Sequence, residues 1–393
     1  MKKLNIAVFM GGKATEHEIS CISANQAIEA INKEKYNIIP IYIAKNNDFY
    51  TGKDLFSLKN FADLDNLKSH LKKIAIYKDG NKAYIKPLKG IKPKATPIDL
   101  AFEVVHGTNV EDGTLAGLLE LLDIPYTGPN VLGSALGQDK AIMKEVFEYE
   151  KIPCVDWFYF YGHEYKDKLP EIKKKVKKIG YPVIIKPANL GSSVGIEIAH
   201  NEKELESKIK EACNYDFKLV VEKMIEDLKE VNISVMGNIF AAKVSPIEEV
   251  IKNDELLSFR DKYEGGGKSC KKLKLPTKTS GSKGMASTSR KIPADIKKSQ
   301  KEQIEKYALQ AFKALNSNGV VRIDFMIDNK TNKVYINEIN SIPGSLAYYL
   351  WDQDGIDFEK QCDLMVENAL KMYREKEKKT YSFDTNVLKN FRG

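Results

Sequence analysis

Two runs near the C-terminus constrain this chain most. They read Val320-Val321-Arg322-Ile323-Asp324-Phe325-Met326-Ile327 and Val334-Tyr335-Ile336-Asn337-Glu338-Ile339-Asn340, joined by a polar turn at 328–333. Their alternation of apolar and polar residues predicts two half-buried strands in a hairpin. Strand side chains alternate between faces, so Arg322 and Asp324 share one face of the first strand, and Glu338 and Asn340 one face of the second. If the register brings those faces together, a guanidinium, two carboxylates and a carboxamide converge, with Ile323, Phe325 and Ile327 packed behind them. Hard oxygen ligands of this kind suit Mg²⁺, which takes one or two carboxylates and leaves its other positions to phosphates and water. The plainer alternative is a hairpin whose polar face meets solvent.

The rest of the chain gives that hairpin a soluble, globular setting. Its 393 residues predict two or three domains, and its formal charge of +8 is modest for the length. No basic segment carries interleaved aromatics, so nucleic-acid binding is not expected; anionic small substrates or a Lys-biased surface explain the charge. The five cysteines (Cys21, Cys154, Cys213, Cys270 and Cys362) are scattered without a Cys-x-x-Cys pair, which argues against a disulfide framework or a zinc site. The apolar run after Met1-Lys2-Lys3 is short and stops at Gly11-Gly12-Lys13, unlike a signal peptide, and no segment is long enough to span a bilayer. A cytoplasmic protein with no membrane partner is expected.

Strands at 4–10, 38–43 and 100–106, with a helix at 18–32, read as an alternating α/β unit built on a parallel sheet. Gly11-Gly12 follows the first strand, yet Gly11-Gly12-Lys13-Ala14-Thr15-Glu16 lacks the Gly-x-Gly-x-x-Gly fingerprint of a dinucleotide site. A second block holds a helix at 138–150, a strand at 182–186, an amphipathic helix at 202–213 and a strand at 219–223. A third begins near Val231 and contains the hairpin. Within it, residues 262–294 form a Gly-, Ser- and Lys-rich stretch expected to be an irregular lid or binding loop.

Three further segments carry chemistry. In Lys186-Pro187-Ala188-Asn189-Leu190-Gly191-Ser192-Ser193-Val194-Gly195, a strand ends in a lysine and a small-residue loop follows, so backbone N–H groups could approach an anion beside that charge. The same residues could form a plain turn. In Leu219-Val220-Val221-Glu222-Lys223, an apolar strand could offer its main chain to an adenine edge, with Glu230 accepting from a ribose; a glutamate at a strand end is otherwise ordinarily solvated. His106-Gly107 followed by Glu111-Asp112-Gly113-Thr114 ends another strand, where a lone histidine is commonly structural.

In their order, these segments resemble the D-alanine–D-alanine ligase family of the ATP-grasp superfamily, over about residues 4–370. The resemblance rests on Gly11-Gly12 with Glu16, His106-Gly107 with Glu111-Asp112-Gly113-Thr114, Asp139-Lys140, Lys186-Pro187 with the Gly191–Gly195 loop, Glu222-Lys223, Phe259-x-x-Lys262-Tyr263, Arg322-Ile323-Asp324, Asn337-Glu338-Ile339-Asn340 and Pro343-Gly344. It implies an N-terminal α/β domain (1–135), a central ATP-grasp subdomain (136–228), a C-terminal ATP-grasp subdomain of α+β character (229–375) carrying the lid, and a peripheral tail (376–393).

By the same resemblance, Lys140 and Lys186 contact the phosphates of ATP and the loop with Ser192 and Ser193 closes over them. Glu222, Lys223 and Glu230 hold the adenosine, and Lys262 and Tyr263 belong to the lid. Asp324, Glu338 and Asn340 ligate two Mg²⁺ ions, for which Mn²⁺ could substitute. Arg322 and the N–H of Gly344 stabilise an oxyanion. Glu16 anchors the first amino acid's ammonium and is linked through Ser192 to Tyr263. His106, Tyr349 and Leu350 complete the substrate set. The implied substrates are D-amino acids and the implied assembly is a homodimer. Lys262-Tyr263 favours an amide over an ester product.

The chain departs from the family pattern at three places. Val110 stands where a glycine is usual. Pro343-Gly344-Ser345-Leu346-Ala347-Tyr348-Tyr349-Leu350 puts a tyrosine where small hydroxyl residues usually hold the second substrate's carboxylate. The lid is longer than usual. A sister ligase using D-serine or another small amino acid, and a nucleotide-binding regulator without turnover, are the alternatives.

Overall fold

The structure, a computed structural model, describes residues 3–251, 289–382 and 389. Among these, the strands form three sheets. In the first, the order is Thr96–Ile98, Lys82–Pro87, Lys72–Asp79, Phe49–Thr51, Tyr36–Ile43, Leu4–Gly11, Leu100–Glu103. Leu4–Gly11 runs parallel to both its neighbours, whereas the other pairings are antiparallel. The expected parallel sheet is therefore only the centre of a mixed one. Strand-helix alternation marked that centre because crossovers require it; the Lys72–Asp79 and Lys82–Pro87 hairpin needs only a tight turn and left no such signal. Ile6 to Met10 are wholly buried, as expected for a central strand covered on both faces.

The second sheet is antiparallel, in the order Glu197–Ala199, Val183–Pro187, Lys218–Lys223, Trp157–Tyr161. Two Lys-rich helices cover one side of it. They bury Ile172 and Val176 from Tyr165–Ile179, and Leu205 and Ile209 from Glu202–Ala212. Each pair stands four residues apart, so a narrow apolar stripe meets the sheet and the charges stay outside. Asn201 caps the second helix by accepting from the N–H groups of Lys203 and Glu204.

The third sheet runs Ser289–Lys291, Glu248–Ile251, Leu228–Gly237, Gly319–Asp328, Val334–Asn340, all antiparallel, with Ala242–Val244 also on Leu228–Gly237. Its inner face buries Val231, Ile233, Val235, Ile323, Phe325 and Ile327 in one cluster with Ile304, Ala308 and Phe312 of the Lys298–Ala314 helix. Each such burial contributes roughly 1.5–3 kcal/mol. The alternate residues Glu230, Asn232, Arg322 and Asp324 are thereby forced onto the opposite face, toward the second sheet. The Lys140–Tyr149 helix ties the two units together: Ala141 packs with Ala188 and Val220, while Met143 and Phe147 enter the third sheet's core.

Two features lie off the sequence reading. The last helix, Phe358–Glu377, buries Cys362, Met365, Val366 and Ala369 in the core of the first sheet, so the chain's end closes its beginning. Residues 289–291, expected to be the end of an irregular stretch, form an edge strand paired with Glu248–Ile251. No described helix is long and apolar enough to cross a membrane.

Candidate active site

A cleft of about 530 Å³ separates the second and third sheets. On the third sheet, Arg322 stands opposite Asn340 and Asp324 opposite Glu338, as the alternation predicted. Beyond Asp324 the register slips, because Phe325 pairs with Ile336 and Asn337 is left over. Such a bulge re-aims a side chain. Asn337 thus lines the cleft beside Glu338, although strict alternation would have turned it away. Both oxygens of Asp324 are engaged by Arg322, at 2.7 Å from Nε and 2.8 Å from Nη2, and Asn340 Nδ2 donates to Oδ2 at 3.1 Å. Burial works against the Arg322 cation, but Asp324 outweighs it and raises its pKa well above the usual arginine value.

The facing wall is cationic. Lys186 Nζ donates to Glu222 Oε2 at 2.7 Å and to Asn337 Oδ1 at 3.2 Å. On the other side of Glu222, Lys144 Nζ lies 3.2 Å from Oε1, so one buried carboxylate sits between two ammonium groups. Burial alone would push the Glu222 carboxyl up; Lys144 and Lys186 outweigh it and hold it at about 2. Lys186 is likewise raised, its burial overcome by Glu222 and Glu338. The expectation of a solvated glutamate fails here, because the strand carries Glu222 under the Lys140–Tyr149 helix rather than to the surface. Lys140 Nζ donates to the carbonyl of Leu190 at 2.7 Å and lies 3.6 Å from Glu338, crossing from one wall to the other. Glu230 and Lys223 also line the cleft, but the Lys223 ammonium is tied to the carbonyls of Gly180 and Tyr181 at 3.1 and 2.8 Å, bracing the turn before the Val183–Pro187 strand.

The Gly-rich loop joins these walls to the first sheet. Ser192 and Ser193 both adopt left-handed backbone conformations, with φ of 55° and 61°, a strain that persists where surrounding contacts impose it. Ser192 Oγ donates to Glu16 Oε1 at 2.6 Å, and Thr15 Oγ1 to the other Glu16 oxygen at 2.6 Å. Gly107 has a φ of +84°, and a Cβ there would stand 2.7 Å from Glu16 Oε2, so the His106-Gly107 turn needs its glycine. Val110 needs none: it is buried, and Gly107 and Asn109 take the positive φ values instead.

His106 does not face the cleft. Its Nδ1 donates to the carbonyl of Ile342 at 2.8 Å, and its Nε2 accepts from Ser23 Oγ, which in turn accepts from the N–H of Ser345. Burial lowers the imidazole pKa and favours this neutral form. The histidine therefore holds the turn that carries Gly344. That turn has three successive residues with positive φ, Ser345 to Ala347. It presents Tyr349 to the cleft and sends Leu350 inward, where Leu350 is fully buried and does not line the cleft. Lys262 and Tyr263 lie outside the described residues.

Asn337, Glu248 and Arg290 line the cleft without having been singled out from the sequence, and Lys144 is buried behind its wall. Lys144 had a signal, since it stands four residues after Lys140 on one helix face. Asn337 was hidden by the bulge. Glu248 and Arg290 reach the cleft from opposite ends of the long Gly-rich stretch, and nothing local joins them. Glu248 is buried, accepts from Tyr349 Oη at 2.9 Å and forms an ion pair with Arg290, its Oε1 3.1 Å from Nε.

Two antiparallel sheets gripping a cleft with lysines on one wall and carboxylates on the other define the ATP-grasp class of fold. Comparison with known proteins is specific within it. The model of the D-ala D-ala ligase N-terminus matches residues 5–129, and that of the D-ala D-ala ligase C-terminus matches residues 146–283 and 277–367. A D-alanine–D-alanine ligase of Thermosipho melanesiensis is 40% identical over 391 residues, 98% of each chain. Among solved structures, the D-alanine–D-alanine ligase of Coxiella burnetii has a TM-score of 0.77 at 29% identity, covering 96% of this chain and 98% of that one. The VanG D-Ala:D-Ser ligase of Enterococcus faecalis has a TM-score of 0.75 at 27% identity, covering 94% and 100%. The chain belongs to the D-alanine–D-alanine ligase family.

Proposed function

We propose that this protein joins two D-alanines in an ATP-dependent reaction, supplying D-alanyl-D-alanine for peptidoglycan precursors. The carboxylate of the first D-alanine attacks the γ-phosphorus of ATP, releasing ADP and leaving an acyl phosphate. The amine of the second then attacks the acyl carbon, phosphate leaves, and the amine's proton is lost as the amide forms. The observation that carries this reading is the opposition of Lys140 and Lys186 to the Arg322, Asp324, Glu338 and Asn340 face across one cleft.

Each residue has a task that its chemistry fits. Lys140 and Lys186 neutralise phosphate charge, which is most of what phosphoryl transfer asks of a protein. Glu222, Lys223 and Glu230 border the adenosine end, and Ser192 and Ser193 cover the phosphates. Glu16, held by Ser192 and Thr15, receives the first substrate's ammonium. Arg322 and the Gly344 N–H face the oxyanion of the tetrahedral step. Asp324, Glu338 and Asn340 supply two carboxylates and an amide oxygen, a donor set that fits Mg²⁺ or Mn²⁺ completed by phosphate oxygens. Metal bound by these residues would neutralise charge developing on the phosphates.

The domain limits at 135, 228 and 375, a lid that includes Lys262 and Tyr263, a homodimer and a cytoplasmic location complete the reading, and rest on the family resemblance. D-alanine is favoured over D-serine as second substrate by the Thermosipho relative, the more similar of the proteins compared.

The test mixes purified protein, ATP and Mg²⁺ with D- and L-amino acids and reads phosphate release together with dipeptide mass. D-alanine is expected to give D-alanyl-D-alanine. No such product from D-alanine, with turnover on another pair, would replace the substrate and keep the fold. Glu338→Gln is expected to lower kcat by about 10²–10³, as losing a charge-stabilising group does, with the folded state retained; near-normal turnover would remove Glu338 from the site.

A further inference from the structure

The family resemblance gives the place of Tyr349 to a hydroxyl that donates to the second substrate's carboxylate. The geometry gives that hydroxyl another occupation. A tyrosine hydroxyl carries one proton, and that of Tyr349 is donated to Glu248 at 2.9 Å. Recognition of an anionic acceptor therefore requires a different donor on the same wall.

Arg290 fits. It projects from the Ser289–Lys291 edge strand, and its Nε lies 3.1 Å from the other oxygen of Glu248. Its guanidinium lies 4.5 Å from the centroid of the Tyr349 ring, within the range of cation–π stacking. Glu248 and Tyr349 thus fix the plane of a group whose fork of five N–H donors matches a carboxylate in two parallel bonds. The trio adjoins Arg322: Asn232 lies between Glu248 and Asp324, its amide best satisfied by donating to Asp324 Oδ1 at 3.2 Å. An α-carboxylate is only one carbon from the attacking amine, so its receptor has to stand beside the oxyanion residue. Lys186 projects from the opposite sheet and is held by Glu222, and Lys140 starts the neighbouring helix and is held by the Leu190 carbonyl.

We propose that Arg290, oriented by Glu248 and Tyr349, is the specificity-determining residue for the second amino acid: it binds that substrate's carboxylate and selects free amino acids over their amides and esters. This rests on the ligase reading.

The experiment uses the full chain, with D-alanine as first substrate and D-alanine, D-alaninamide or D-alanine methyl ester as acceptor. Wild-type protein is assayed first; if it makes no dipeptide, the ligase reading itself has failed. If it does, it should prefer D-alanine over the amide by at least about 10²-fold in kcat/KM. Arg290→Gln should raise the acceptor KM by about 30-fold or more, bring the acid-to-amide preference toward unity, and move the KM values for ATP and the first D-alanine little. Arg290→Lys should restore part of the preference. Tyr349→Phe, which keeps the ring and removes the hydroxyl, should retain the preference with a smaller rise in KM. The proposal is overturned if Arg290→Gln keeps the wild-type preference, if only its KM for ATP rises, or if Tyr349→Phe abolishes the preference. Should Arg290→Gln melt like an unfolded chain, Arg290→Lys and Tyr349→Phe decide between the two donors.

Discussion

Two buried glutamates, one in each half of the molecule, respond to burial in opposite ways. Glu222, on the second sheet, lies between Lys144 and Lys186, and their charges hold its carboxyl at about 2 despite burial. Glu103 ends the Leu100–Glu103 strand of the first sheet, where burial pushes its carboxyl up to about 8 and only the N–H of Gly128 opposes the shift. Its Oε1 has no hydrogen-bond partner among the described residues. The first is an anion set in a cationic wall; the second is a neutral acid at neutral pH. Burial alone does not decide the charge of a carboxyl. What decides is whether the fold brings a counter-charge with it.

The largest effect should come from removing the paired charge. Glu222→Gln leaves two buried ammonium groups without their anion, a loss of about 3–5 kcal/mol, visible as a lower urea midpoint. It should also reduce turnover, because Lys186 loses the partner that aims it. The pH dependence has a definite sign. A carboxyl whose folded pKa is depressed contributes its stability above the unfolded value, near 4.5, and loses it as pH falls toward about 2. The difference between wild type and Glu222→Gln should therefore shrink across that interval. An unchanged midpoint at pH 7 would mean that Lys144 and Lys186 do not depend on Glu222.

What the sequence made legible follows the same division between local and non-local order. The Arg322, Asp324, Glu338 and Asn340 face could be read because both strands alternate and the turn between them is short. The pairing of Glu222 with Lys144 could not, since 78 positions of chain separate them and the contact exists only because the Lys140–Tyr149 helix crosses the sheet. Asn337 was lost to one extra residue in one strand, and Arg290 to an edge strand of three residues. The antiparallel part of the first sheet went unseen for want of crossovers. Tyr349 was legible as a cleft residue, but its hydrogen-bond partner Glu248, 101 positions away, was not.

At pH 5 the first-sheet carboxyl sharpens the comparison with smaller effects. A Cβ on Gly128 would collide with Glu103 Oε2, whose strand is buried along its length. Gly128→Ala should therefore cost about 1–3 kcal/mol, the range for overfilling a tight core, with little change in KM for any substrate. A melting temperature equal to wild type would show that Glu103 can swing away, and would weaken its status as a fixed neutral acid.

The smallest expected change is Glu103→Gln at pH 5, within about 1 kcal/mol, because a neutral carboxyl and a carboxamide differ there by little more than one hydrogen bond. The effect should then grow in the direction opposite to that at Glu222. Above about 4.5 the unfolded chain releases the Glu103 proton while the folded chain retains it until about 8. The folded state binds more protons across that interval, so wild-type stability falls as pH rises. Glutamine does not titrate, and Glu103→Gln should gain on wild type by up to about 1.4 kcal/mol for each pKa unit separating the two states. Unfolding both proteins in urea at pH 5, 6.5 and 8 measures this directly. Parallel pH profiles would show that Glu103 ionises in the folded protein, and the contrast between the two glutamates would then reduce to a difference in packing.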